Sequence, residues 1–135
     1  MPLLCDTGVV YALADRRDAW HARVRQYLES HPDALLLPVT ILAEVAYLLR
    51  ERIGAAAELA FARSVADGEV AVERTVAMDF TRAVELMKKY ASLGFVDATI
   101  VATAERLKVT SIATTDRRHF GSVHPAHVHR FTLVP

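Results

Sequence analysis

Four acidic residues occupy positions where a carboxylate is either a turn former or a working group. Asp6, in "LLCDTGVVYAL", directly follows an apolar run, and Asp116, in "SIATTDRRHF", follows another. Ligands of open parallel sheets bind beyond the carboxyl ends of the strands, so two strand-end aspartates have a use beyond capping a helix or closing a turn. Glu44 has Ile41 three residues before it and Leu48 four after it, which puts it within an apolar helical stripe and predicts partial burial. Asp97 opens a helix and is followed on its own face by Ile100, Val101 and Ala104. No Lys or Arg stands three or four residues from either, and an inward carboxylate without a partner needs a cation, a proton or a set of donors. As a cluster, the four suit a hard divalent ion, Mg²⁺ or Mn²⁺. Zinc fits less well, because the single Cys5 lies on a core strand and the histidines lack HxxxH or HExxH spacing.

The elements that must bring these acids together alternate along the chain. Leu3 to Asp6 reads as a short buried strand, followed by a short helix through "VVYALA". Trp20, Val24, Tyr27 and Leu28 give an amphipathic helix that Asp18 would cap. "ALLLP" is a second strand, after which Thr40 is placed to cap "ILAEVAYLLRER", a helix that Gly54 ends. "AAAELAFARSVA" is a small-residue helix and "EVAVERT" a third strand. Phe80, Val84, Met87 and Ala91 mark the apolar face expected of the next helix. "FVDATIVATAERL" is a nearly all-apolar helix, with "TSIAT" and "HRFTLV" the fourth and fifth strands. Strands alternating with helices imply an α/β domain with a mostly parallel sheet covered on both faces.

Length and composition fit this reading. The 135 residues are 53% hydrophobic and 24% charged, the profile of one ordered globular domain spanning 1–135. Lys plus Arg and Asp plus Glu each total 16, so net charge alone makes no case for nucleic acid, although the C-terminal quarter is weakly basic. Cys5 has no disulfide partner, and "MPLLCDTG" lacks a basic segment and a long apolar run. The expected location is therefore the cytoplasm, without membrane attachment.

"LLCDTGVVYAL", "ILAEVAYLL", "GFVDATIVATAERL" and "SIATTDRRHF" resemble, in order and spacing, the four acidic motifs of the PIN-domain ribonucleases, and the chain is similar in size to the VapC toxins of bacterial toxin–antitoxin pairs. The resemblance implies a three-layer α/β/α sandwich on a five-stranded parallel sheet, Mg²⁺- or Mn²⁺-dependent cleavage of RNA, homodimerisation and inhibition by a small antitoxin. Carried onto this chain, it assigns the metal-binding catalytic acids to Asp6, Glu44, Asp97 and Asp116, with Thr7 and Thr115 at supporting hydroxyl positions. Asp18 and His21 resemble a structural pair of the toxins. Many relatives carry another acid shortly after the fourth aspartate. Arg117 and Arg118 stand there instead, which weakens the case for a second metal and makes them, with Arg16 and Arg17, candidates for RNA backbone contacts.

Other classes compete with this reading. Asp6-Thr7-Gly8 is also the triplet of aspartic proteases, whose paired carboxylates share a proton, but those folds are dominated by strands and helical patterns dominate here. A catalytically silent PIN-fold module that binds RNA or protein is a second alternative, and a metal-dependent phosphatase or DNA nuclease a third.

Overall fold

The computed structural model describes residues 2–135. Five short strands form one sheet: β1 (Leu3–Cys5), β2 (Leu35–Pro38), β3 (Ala71–Glu73), β4 (Ser111–Ala113) and β5 (Thr132–Val134). Their order is β3-β2-β1-β4-β5 and every pairing is parallel. Central β1 is buried at each residue, which is why it reads as an unbroken apolar run: a sheet covered on both faces has no polar side to alternate.

Helices α1 (Thr7–Ala14) and α2 (His21–Ser30) connect β1 to β2, and α3 (Leu42–Arg52) with α4 (Ala55–Ala66) connect β2 to β3. Helices α5 (Ala77–Lys89) and α6 (Phe95–Leu107) lead back to β4, and the single-turn α7 (Arg117–Gly121) joins β4 to β5. The chain leaves β1 toward one edge and returns from β3 toward the other. Right-handed crossovers therefore place α1–α4 on one face and α5–α7 on the opposite face, in keeping with the packing of α1 on α2 and α3, α3 on α4, and α6 on α5 and α7. The result is the α/β/α sandwich, with a wholly parallel sheet.

Three local expectations change. Helix α2 begins at His21, because Asp18 spends its carboxylate on a turn, accepting from the Trp20 N–H at 2.8 Å, while His21 Nδ1 donates to the Ala12 carbonyl at 2.7 Å and ties α2 to α1. Thr40 caps nothing: a 3₁₀ turn, Val39–Ile41, precedes α3, and the Thr40 hydroxyl meets that of Thr99 on α6 at 2.9 Å. The third change is the phase of α5. Phe80, Val84, Met87 and Ala91 are exposed, and the inward row is Asp79, Arg82, Ala83 and Leu86.

Ion pairs set that phase. Arg106 of α6 donates from Nε to both Asp79 oxygens at 3.1 Å and from Nη1 to Glu73 at 3.1 Å. Arg82 makes a two-pronged contact with Glu105, Nε to Oε1 at 2.7 Å and Nη2 to Oε2 at 3.1 Å, and Glu105 also accepts from the Ala126 N–H at 2.6 Å. Glu105 is buried on α6, so turning α5 to hide its larger apolar residues would take Arg82 away from it and leave its carboxylate stranded, with Arg106 losing Asp79 as well.

Candidate active site

Strand order reverses between β1 and β4, and beyond their carboxyl ends lies a cleft of about 450 Å³. It is lined by Asp6, Thr7, Gly8, Glu44, Gly94, Phe95, Val96, Asp97, Thr115, Asp116 and His119. All four expected acids are present, from four separate parts of the chain, and no Lys or Arg is among these lining residues.

Asp6 leaves β1 and caps α1. Its Oδ1 accepts from the Thr7 N–H at 2.7 Å and its Oδ2 from the Thr114 hydroxyl at 2.9 Å. Burial pushes this carboxyl up to about 6, the negative charges of Asp97 and Glu44 push the same way, and the two donors only partly oppose them. The Thr114 oxygen also accepts from the Asp116 N–H at 2.9 Å, so one buried hydroxyl joins the first and fourth motifs. Asp116 caps α7, its Oδ1 accepting from the Arg118 N–H at 3.2 Å.

Asp97 lies in the first turn of α6. Burial raises its carboxyl, and Asp116 and Glu44 add to the rise against the opposing effect of His119. His119 Nδ1 donates to Asp97 Oδ2 at 3.1 Å and also lies 3.1 Å from Asp116 Oδ2. Glu44 corrects its expectation: it is exposed, not partly buried. Its neighbours Ile41 and Val45 are buried, but α3 starts at the open side of the cleft, so the first-turn carboxylate reaches water instead of core.

Of the supporting hydroxyls, Thr7 Oγ1 is buried without a hydrogen-bond partner among the described residues. Thr115 lines the cleft and packs on Gly8, whose missing side chain the fold requires: a Cβ there would meet Thr115 Oγ1 at 2.2 Å. Gly8→Ala is expected to cost about 1–3 kcal/mol in chemical denaturation. Thr115→Ala, by removing the obstructing oxygen, is expected to recover most of that in the double variant, whereas simple additivity would show that the contact does not matter.

The arginine candidates lie outside the acidic cleft. Arg117 is exposed and its guanidinium bonds the Pro135 carbonyl; Arg118 is exposed and engages Asp116 through its backbone. Arg16 and Arg17 lie past the far end of α1, about 12 Å along the helix, in a second cleft shared with Asp15, Arg52 and Ile53. Sequence reasoning missed Thr114 and His119. The available signals were a hydroxyl two residues before a strand-end Asp and a His three residues after it, on the same turn.

Hard carboxylate oxygens, two of them raised by burial with their negative neighbours adding to the rise, and an orphaned hydroxyl fit a divalent cation. Among the described residues, no group of three or more His, Cys, Asp or Glu side chains is close enough as placed to hold a metal ion, so binding one would draw these carboxylates together. Asp6, Asp97 and Asp116 are held by protein donors through at most one hydrogen bond per oxygen, and each carboxylate oxygen has a second lone pair. The lone thiol offers no alternative nucleophile: burial pushes Cys5 up to about 12.

A model of the PIN domain matches residues 3–123. Ribonuclease VapC26 of Mycobacterium tuberculosis is 34% identical over 135 residues, 98% of this chain and all of the relative. Among solved structures, M. tuberculosis VapC20, a sarcin–ricin loop cleaving toxin, matches with a TM-score of 0.82 at 24% identity, over 93% of this chain and 98% of its own. VapBC2 of Rickettsia felis, bound to a promoter DNA fragment, matches at 0.71 and 12% identity over 98% and 97%. A toxin–antitoxin complex of Klebsiella pneumoniae matches at 0.68 and 22% over 93% and 99%. The structural matches, all under 25% identical, establish a shared fold.

Proposed function

We propose, for a chain that belongs to the PIN-domain family, that it is a Mg²⁺- or Mn²⁺-dependent endoribonuclease and the toxin of a toxin–antitoxin pair. The observation that carries this is the convergence of Asp6, Glu44, Asp97 and Asp116 in one cleft at the sheet's reversal, without a basic side chain lining it. The name of its 34%-identical relative, a ribonuclease, supports the substrate class.

Asp6, Asp97 and Asp116 would hold the cation, and Glu44, exposed at the cleft's open side, completes the site or orients the attacking water. Bound there, a divalent ion supplies Lewis acidity that neutralises charge growing on the phosphoryl and leaving oxygens. Water attacks phosphorus in line, the bond to the 3′ oxygen breaks, that oxygen takes a proton from solvent, and the products carry a 5′-phosphate and a 3′-hydroxyl. Glu44 is the free carboxylate placed to receive the water's proton. The 2′-hydroxyl takes no part in this chemistry, so selectivity for RNA rests on binding, and the test is a side-by-side assay of RNA, single-stranded DNA and a phosphomonoester. Cleavage of RNA alone, leaving 5′-phosphate ends, is expected; a preference for DNA or the monoester, or 2′,3′-cyclic ends, would overturn the assignment.

Two surfaces support partners. Between α1, α3 and α4 runs an apolar groove lined by Val10, Leu13, Leu49, Ala57, Phe61 and Val70, among others, which adjoins the cleft of Arg16, Arg17 and Arg52 at Ala14. An amphipathic antitoxin segment carrying carboxylates fits both. On the opposite face Phe80 stacks on Phe95, with ring centroids 6.1 Å apart, beside exposed Val84 and Met87. This patch, reaching the acidic cleft through Phe95, suits a second copy of the chain. Sedimentation showing only a 14.9 kDa species at micromolar concentration would remove the homodimer. No helix among the described residues is long and apolar enough to cross a membrane.

A further inference from the structure

Two of the cleft's aspartates, Asp97 and Asp116, share a side-chain partner. Asp97 belongs to α6 and Asp116 to the turn between β4 and α7, separate elements whose acids both line the cleft. His119 Nδ1 hydrogen-bonds Asp97 Oδ2 at 3.1 Å and lies at ion-pairing distance, also 3.1 Å, from Asp116 Oδ2, so those two oxygens are no more than about twice that distance apart. Both neighbours are acceptors, which assigns the hydrogen to Nδ1. Nε2 has no partner among the described residues, so Nδ1 alone fixes the ring. The local fold aims it: Asp116 caps the single turn of α7, and a residue three positions on faces back over that turn.

We propose that His119 is a positioning residue of the acid cleft, its Nδ1–H tying Asp97 to Asp116 and so setting their spacing for a divalent cation. This rests on the reading of the cleft as a cation site. The histidine is an outer partner that orients two ligands at once, and Asp97 Oδ1 has no protein partner among the described residues. From the buried side Thr114 ties the Asp6 carboxylate to the Asp116 backbone, donating to Asp6 Oδ2 and accepting from the Asp116 N–H.

The experiment is calorimetric titration of Mn²⁺ into the native chain and into His119→Ala, His119→Asn and His119→Gln, with melting temperatures measured in EDTA as the control for folding. An Asn amide nitrogen occupies the place of Nδ1, and a Gln amide nitrogen that of Nε2. Affinity is expected to fall about tenfold in the Ala variant, to recover largely with Asn, and to stay low with Gln. Equal or tighter binding by His119→Ala, or recovery with Gln but not Asn, would overturn the assignment while leaving the metal site standing. No Mn²⁺ binding by the native chain would overturn the metal reading and this proposal together.

Discussion

Asp6→Asn is expected to abolish RNA cleavage and, in the metal-free protein, to raise stability. The loss of activity should reach roughly 10²–10³-fold or more, the scale of removing one group that neutralises transition-state charge. The gain in stability follows from the carboxyl's displacement to about 6 by burial and by its negative neighbours. A group whose folded value is raised favours the fold below its ordinary value near 4 and loses that contribution as pH climbs through about 6. Above that pH the native protein therefore bears a penalty of about 2–3 kcal/mol that the asparagine lacks. The substitution is accommodated locally, because Thr114 can turn its hydroxyl hydrogen to the Asp116 carbonyl, 3.2 Å away, and accept from the new amide. Thermal melts in EDTA at pH 4.5 and pH 7.5 check this: the variant should exceed the native protein only at the higher pH. Saturating Mn²⁺ should reverse the order, since only the native site gains from binding. A variant less stable than the native protein at pH 7.5 in EDTA would show that Asp6 is not held against its charge.

Glu105→Ala should carry the largest cost in stability, with the cleft left intact. It removes the carboxylate that Arg82 grips with two nitrogens and that also accepts from the Ala126 N–H. Breaking a buried pair costs roughly 3–5 kcal/mol, and because Arg82 is 35% exposed and keeps some water, the lower end, about 3 kcal/mol, is expected. The pH signature is opposite to that of Asp6. Burial pushes the Glu105 carboxyl up, but the Arg82 guanidinium and the Ala126 N–H outweigh it and hold the group below its ordinary value. That contribution is complete above the ordinary value and disappears as pH falls through the lowered one, so native and variant stabilities should converge in acid. Urea denaturation at neutral pH and near pH 3 measures it, and a gap that stays constant would contradict the ion pair.

The positions of Asp6, Asp97 and Asp116 were legible because each follows from local grammar: an apolar run halted by a turn former, or an acid in the first turn of an apolar helix. Their convergence followed from parallel β/α alternation, which puts all strand carboxyl ends on one side. Glu44 lay on the expected stripe yet proved exposed, since periodicity says which face a residue takes but not whether that end of the face meets core or a cleft. The phase of α5 was misread for a related reason. Two of its rows have helical spacing, and the one with larger apolar residues was displaced by Asp79 and Arg82, whose partners Arg106 and Glu105 lie 27 and 23 residues further on, in the next helix. Long-range pairing of this kind leaves no trace in local spacing. Thr114 and His119 were overlooked because their roles are relational: each matters through two acids that meet only in the folded chain.

The most direct measurement is cleavage of RNA by the purified chain in EDTA, then with Mn²⁺ in excess over the chelator, alongside Asp97→Asn under both conditions. Carboxylates gathered to hold a catalytic cation require no cleavage in EDTA, full recovery with Mn²⁺ and no recovery in the variant. Undiminished cleavage in chelator, or by Asp97→Asn, would contradict it.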